Sequence, residues 1–220
     1  MIRAILAAPL ALLVFIAAPA EATDSSRSPP APPPHLPLGE VIPTLHSSPL
    51  SNVRLGDLSV EFERTTLPEL QKSAGVGETF HAGDAGDSTY WICYSVSSAN
   101  QPYRIWFASG EMGGHEQAIL SFYAEFSTYS VSPRSCPELP EHLRPVSLAN
   151  NPLWLGADAN QLKQRFGSAS PRMVKGTWRF YAYEEKTRIK DEDFDRLATF
   201  GAQVRNNKVI SLYEDQVTSD

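Results

Sequence analysis

Apolar and polar positions follow the same order twice along the chain, first from about residue 65 and again from about residue 158. Each copy opens with a short stretch of helical spacing that ends at a glycine, Gly75 in the first copy and Gly167 in the second. A Trp-x-x-Tyr pair, a phenylalanine and an apolar strand ending in tyrosine then follow in both copies. Aromatic and β-branched runs of this kind favour strands. The shared order indicates an internal duplication.

Both helix starts carry residues typical of caps. Glu69 follows Thr66 by three positions, which is the spacing of a capping box. Asp158 is suited to cap the second helix, predicted over residues 159–166. The glycine at the end of each helix favours a left-handed C-terminal cap, because glycine adopts positive φ without steric cost.

The strand pattern after each helix predicts an antiparallel meander. The predicted strands are residues 89–96, 103–108 and 118–126 in the first copy and residues 177–184, 196–205 and 208–213 in the second. Asn206-Asn207 suits a tight hairpin turn between the last two strands. We therefore expect an α+β fold of two tandem modules, each a short helix packed on an antiparallel β-meander. The modules are residues 53–126 and 153–220, joined by a proline-rich linker over residues 127–152.

The N-terminus has the pattern of a secretory signal peptide over residues 1–22. Arg3 precedes an apolar run, and small residues occupy positions 20 and 22, so cleavage is expected after Ala22. A membrane anchor needs about 20 apolar residues, and this run is shorter. No cysteine lies near the cleavage site to accept lipid. These features predict a periplasmic or secreted protein with no membrane span and no lipid anchor.

Residues 23–52 are rich in proline and serine and poor in aromatic residues. Such a composition cannot build a core, which predicts an extended, partly polyproline-II tail. A role as a proline-rich ligand is open as well, although a plain spacer is favoured.

Cys93 and Cys136 are the two cysteines of the chain, and both lie after the predicted signal peptide. Paired thiols persist as disulfides in oxidising compartments, so a Cys93–Cys136 bridge is expected. A zinc pair or a catalytic thiol is the alternative, but there is no CxxC and no cluster of histidines beside either cysteine.

The net charge of −6 argues against a nucleic-acid partner. The densest cationic stretch, residues 186–190, is followed at once by the acidic stretch 191–193. Alternating charges of this kind predict a solvated loop.

The second copy carries a family resemblance. Its residues 155–170 place a glycine before a helix and a Gly-Ser turn after it, and residues 178–183 and 208–210 follow as strands. In these features the chain resembles the small outer-membrane assembly lipoproteins called BamE, SmpA or OmlA. Two such modules in one exported chain also resemble the beta-lactamase inhibitor protein. The resemblance implies α+β modules that bind an exported or envelope protein, although the lipidated cysteine of the lipoproteins is missing.

Two glycine-rich segments could carry chemistry. Glu111, His115 and Glu116 surround glycines between two predicted strands, which would suit a hydrolase or metal-dependent enzyme, but a hairpin loop is favoured. Residues 81–87 weakly resemble a calcium loop and lack its full set of ligands, so turn chemistry is favoured there. The chain has no GxSxG or HExxH motif. No cofactor and no metal are expected.

Strand alternation places Arg104 and Trp106 on one face of their strand, where Trp91 and Tyr123 can join them. Trp, Tyr and Arg dominate binding hot spots, so these four residues are the predicted binding site if that face is exposed. Packing of the same face against the linker or the other module is the alternative. The sequence thus predicts a non-catalytic protein-binding protein of the inhibitor, immunity or envelope-assembly accessory type, with a passive structural protein as a further alternative.

Overall fold

A computed structural model describes residues 32–34, 36, 42–50, 52–98, 101–127, 136–149, 151–189 and 192–219. The predicted signal peptide and its cleavage site lie outside these residues, as do parts of the predicted tail and linker. None of the helices in the described ranges combines the length and the apolar character that crossing a bilayer requires.

The described residues form eleven strands and two α-helices, with short 3-10 turns between them. In chain order the strands and helices are β1 (Val53–Leu55), β2 (Leu58–Val60), α1 (Leu67–Ala74), β3 (Phe80–Ala82), β4 (Thr89–Val96), β5 (Tyr103–Gly110), β6 (Ser121–Phe126), β7 (Val146–Leu148), α2 (Asn160–Phe166), β8 (Arg172–Val174), β9 (Trp178–Ile189), β10 (Glu192–Arg205) and β11 (Lys208–Ser219).

The predicted α+β fold of two separate helix-on-meander modules is wrong. The two meanders form one antiparallel sheet of eight strands in the order β3-β4-β5-β6-β11-β10-β9-β8. The junction is the pairing of β6 with β11, in which Tyr123 lies opposite Tyr213. Each meander alone would end in an unpaired edge at this strand, and joining the edges satisfies both rows of backbone groups. The result is a β-rich fold with two sheets and two short helices.

One face of the large sheet packs on a single apolar core. Both helices contribute to this core, as does a second sheet of three strands in the order β2-β1-β7. Val146 and Leu148 of β7 and the nearby Leu139 and Leu143 are buried there, so the segment predicted as a linker adds a strand and core side chains.

The predicted ends of α1 are confirmed and those of α2 only in part, since Gly167 has a positive φ of 58° but a ψ of -130°, outside the left-handed helical conformation. Thr66 and Glu69 form the reciprocal capping box, and Gly75 ends α1 with a left-handed φ of 66°. At α2 the Asp158 carboxylate accepts a hydrogen bond from the Asn160 backbone N–H at 2.9 Å. The turn predicted at Asn206-Asn207 has positive φ at both residues.

The charged stretch predicted as a solvated loop is instead part of two long strands, through Ile189 in β9 and from Glu192 in β10. The reason is cross-strand complementarity: Lys186 lies opposite Asp195 and Glu185 opposite Arg196. Their charged groups approach to 3.3 Å and 2.9 Å respectively. Opposite charges at facing positions stabilise a strand pair, which a count of charges along the chain does not reveal.

Both edges of the large sheet are short strands of three residues, extended by irregular segments. Beyond β3, the backbone of Ser95 bonds to Pro137 and Leu139. Beyond β8, the carbonyl of Ala182 accepts hydrogen bonds from the N–H groups of Thr44 and Leu45. These contacts cover backbone groups of β4 and β9 that would otherwise be exposed at sheet edges.

Candidate functional site

Seven aromatic side chains lie on the face of the large sheet opposite the main core, and we call this surface the aromatic face. They are Phe80, Trp91, Trp106, Tyr123, Trp178, Phe180 and Tyr213. Strand register places them together, since Trp106 pairs with Tyr123 across β5 and β6, and Tyr123 pairs with Tyr213 across β6 and β11. They form a second apolar cluster, separate from the core under the helices.

The rings of the aromatic face contact one another across several strands. Trp106 meets Tyr123 edge-on at 5.4 Å between centroids, and Tyr123 lies 6.2 Å from Trp178. Trp178 then stacks on Phe180 at 5.4 Å with only 7° between the ring planes. Contacts of this geometry stabilise beyond the area that they bury.

Gly201 makes part of this packing possible. It lies on β10 opposite Phe180 and Tyr213. A Cβ at Gly201 would lie 2.5 Å from Phe180 Cε1, so the Phe180 ring occupies the space above the glycine.

The structure brings the four predicted binding residues together, but three of them are buried. Trp91, Trp106 and Tyr123 are only 3%, 2% and 4% exposed, which matches the packed alternative for this face. Arg104 remains partly accessible, with its side chain 16% exposed. Whether these residues bind a partner stays a prediction.

Arg104 sits over this cluster in a polar network. Its guanidinium forms an ion pair with Glu125 and lies 5.0 Å from the centroid of the Trp106 ring. The Tyr123 hydroxyl donates to Glu125 Oε2 at 3.2 Å. Burial raises the pKa of Tyr123, so this hydroxyl stays protonated and remains a donor. The network holds a cation and a carboxylate in fixed positions above rigid rings.

The predicted disulfide between Cys93 and Cys136 is confirmed, with a Cα–Cα distance of 5.2 Å. Cys93 lies on β4 opposite Trp106, so the bridge is part of the aromatic face. Ser95 reinforces it by donating a hydrogen bond from its hydroxyl to the carbonyl of Cys136 at 3.1 Å. The bridge therefore fastens an irregular segment onto this face.

A second irregular segment reaches the aromatic face from the N-terminal side. Leu36 belongs to the aromatic cluster and is 9% exposed. Pro32, Pro33 and Pro34 line a cavity of about 790 Å³ together with Trp91 and Tyr213. Part of the predicted tail thus packs on the sheet, although its composition alone predicted an extended spacer.

Sequence reasoning missed Asp215, which lies on the aromatic face between Ser121 of β6 and Thr199 of β10. Burial raises the pKa of its carboxyl to about 7, although hydrogen bonds from the Thr199 and Tyr213 hydroxyls act in the opposite direction. Burial and the neighbouring Asp215 raise the pKa of Tyr213 as well. No signal in the sequence pointed to it, because the last strand was predicted over residues 208–213 and Asp215 lies beyond that range, whereas β11 continues to Ser219.

Glu111, His115 and Glu116 lie in the connection between β5 and β6 and are exposed to solvent. The connection contains a 3-10 turn at Glu111–Gly113, and Gly114 has a positive φ of 64°. In the described ranges, no three or more His, Cys, Asp or Glu side chains are grouped to hold a metal ion. The loop has the turn chemistry that its glycines predict.

None of the protein-family models, curated proteins or solved structures compared with this chain matches it. The resemblance to the assembly lipoproteins and to the beta-lactamase inhibitor protein stays a prediction.

Proposed function

We propose that this is an exported, non-catalytic protein-binding protein of the inhibitor, immunity or envelope-assembly accessory type. The binding surface is the aromatic face together with the polar groups above it. The observation that carries the proposal is the difference between the two faces of the large sheet. One face packs under two helices and a second sheet, whereas the aromatic face consists of buried rings with the partly accessible groups Arg104, Glu125 and Tyr213 beside them.

The chemistry of this face supports protein recognition. A partner approaching it meets Arg104, Glu125 and Tyr213, which are partly accessible, while the buried rings beneath keep these groups in place. Arginine and tyrosine held rigidly on an apolar base lose little side-chain entropy on binding. The wide, continuous sheet offers a surface of the kind that protein interfaces use.

The disulfide supports the exported location. Cys93 and Cys136 are both buried, at 1% and 2% exposure, and a bridge between them persists in an oxidising compartment. The pattern of a signal peptide at residues 1–22 points in the same direction.

Site-directed crosslinking tests the proposal. A photo-crosslinking amino acid is placed at Tyr213 on the aromatic face or at Met173 on the opposite face, which is 51% exposed. Incubation with the exported fraction should yield one defined, stoichiometric protein adduct from position 213 and none from position 173. The same partner should be captured by the protein without the photo-crosslinking amino acid. Arg104→Glu should abolish this capture, and His115→Ala should leave it unchanged.

Absence of any stoichiometric partner would instead support a passive structural protein. Loss of function in a folded His115→Ala variant would favour the enzymatic alternative.

A further inference from the structure

The cavity lined by Pro32–Pro34 is the start of a more specific inference, which rests on the proposed function. Trp91 and Leu120 are buried on its floor at 3% and 8% exposure, and Tyr213 is half-buried beside them. Met112 is 54% exposed at its rim. We call this site the proline groove.

The chain's own proline-rich segment fills only part of the proline groove. The segment contributes three prolines to the wall and Leu36 to the aromatic cluster, yet a volume of about 790 Å³ remains open between segment and sheet. Aromatic side chains with an adaptable methionine beside them suit polyproline-II segments, which lose little entropy on docking. The groove thus has the open volume and the apolar side chains that a polyproline-II segment needs for binding.

Charge adds a second criterion. Asp87 and Glu111 line the groove and are exposed, whereas no Lys, Arg or His is among its described lining residues. A negative rim favours a ligand with a cation beside its prolines. The chain's own segment has this composition, with Arg27 five residues before Pro32.

We infer that the proline groove binds an extended, proline-rich segment with a basic flank on a partner protein, and that the chain's own segment competes for the same place. Occupation by the chain's own segment reduces the fraction of molecules that can bind a partner, and the apparent affinity falls by that fraction. The partner's segment must therefore displace Pro32–Pro34 from the groove.

The probe is a fluorescent peptide with the chain's own residues 27–38, titrated into the full disulfide-bonded chain and followed by anisotropy. A Pro32→Ser/Pro33→Ser/Pro34→Ser variant frees the groove while keeping Leu36 in the cluster. We expect this variant to bind the peptide at least about tenfold more tightly than the unmodified chain, because its competent fraction is larger. A peptide with serines at the three proline positions should not bind.

Two exposed methionines provide a matched control. Met112→Gln in the freed variant should weaken peptide binding on the order of tenfold, because it replaces the apolar side chain at the rim with a polar one and leaves the charge of the rim unchanged. Met173→Gln, similarly exposed on the opposite face, should leave binding unchanged. The Trp91 indole N–H resonance gives a second readout in the unmodified chain and should shift when the peptide is added at high concentration.

The inference is overturned if the peptide binds neither form, or if Met112→Gln and Met173→Gln act alike. Equal affinity for a peptide carrying Arg27→Glu would overturn the proposed basic flank. A concentration-dependent dimer that the peptide does not dissociate would assign the groove to a second copy instead. Peptide binding without any crosslinked partner would refute the proposed function alone, whereas a crosslinked partner without peptide binding would refute only this inference.

Discussion

The packing of the aromatic face depends on the size and charge of a few single side chains. Gly201 provides the space for the Phe180 ring, and Trp106 fills the space between the disulfide and Tyr123. Asp215 adds one carboxyl to the same surface. Each of these residues has a measurable consequence for stability.

Gly201→Ala should destabilise the protein by about 1–3 kcal/mol, because the new Cβ would clash with the Phe180 ring. This ring is buried and cannot move aside as the flexible end of an exposed side chain could. Urea unfolding measures the change in the free energy of unfolding. Gly110→Ala is the matched control, since its Cβ lies 3.5 Å from the nearest atom, an ordinary contact. Equal stability of the two variants would show that the Phe180 ring is not held over Gly201.

Trp106→Ala should lower the free energy of unfolding by about 3–5 kcal/mol, because the side chain is 2% exposed and its removal leaves a cavity. Arg104→Ala should cost far less stability and reduce partner capture. Chemical denaturation of both variants, paired with the capture assay, separates packing from recognition. A Trp106→Ala protein that is fully stable but fails to bind would mean that this ring is a direct contact.

Asp215 makes stability depend on pH. Its folded pKa of about 7 lies above the unfolded value of about 4, so the folded protein holds an extra proton between these values. Its contribution to stability therefore falls as pH rises from about 4 to 7, by up to about 1.4 kcal/mol per pH unit, and is constant above. Unfolding of the wild type and Asp215→Asn should differ in slope over this window. Parallel curves would contradict the raised pKa.

At the scale of the element, local signals predicted local structure well. The capping box at Thr66 and the turn at Asn206-Asn207 were confirmed, because both depend on neighbouring residues. The pairing of β6 with β11 was missed, because strand partners distant in sequence are not encoded in periodicity. Alternation placed Trp106 and Tyr123 on the same face, but their exposure depended on what packs against that face.

The same limit explains the charged hairpin. A strand pair gains from opposite charges only in the right register, and that register was set by the whole of β9 and β10. A double-mutant cycle on Glu185 and Arg196 should give a coupling of about 0.5 kcal/mol that decreases with salt. The pair Lys186–Asp195 should couple more weakly, because its side chains are 85% and 48% exposed against 36% and 33% for Glu185 and Arg196. The reverse order would contradict the dependence of the coupling on exposure, and no coupling in either pair would contradict the register.

At the scale of the whole molecule, the two halves that the sequence predicts as a duplication are not independent units. β6 and β11 join the halves by main-chain pairing, and aromatic contacts cross the junction from Tyr123 to Trp178. The main core is also shared, since Phe122 from the first half and Phe200 from the second belong to it. Separation of the halves would expose both the paired edges and part of each apolar cluster.

The two halves should therefore unfold together. Native-state hydrogen exchange followed by mass spectrometry measures the opening free energy of amides in β4 and β5 against those in β9 and β10. We expect the slowest amides in both pairs of strands to share one opening free energy, because neither half keeps a complete core or a paired edge alone. Two independent modules would instead show two values, and a difference above about 2 kcal/mol would contradict the single cooperative sheet. Gly201→Ala offers an internal check: although it lies in the second half, it should lower the opening free energy of the slowest amides in β4 by the same amount as in β10.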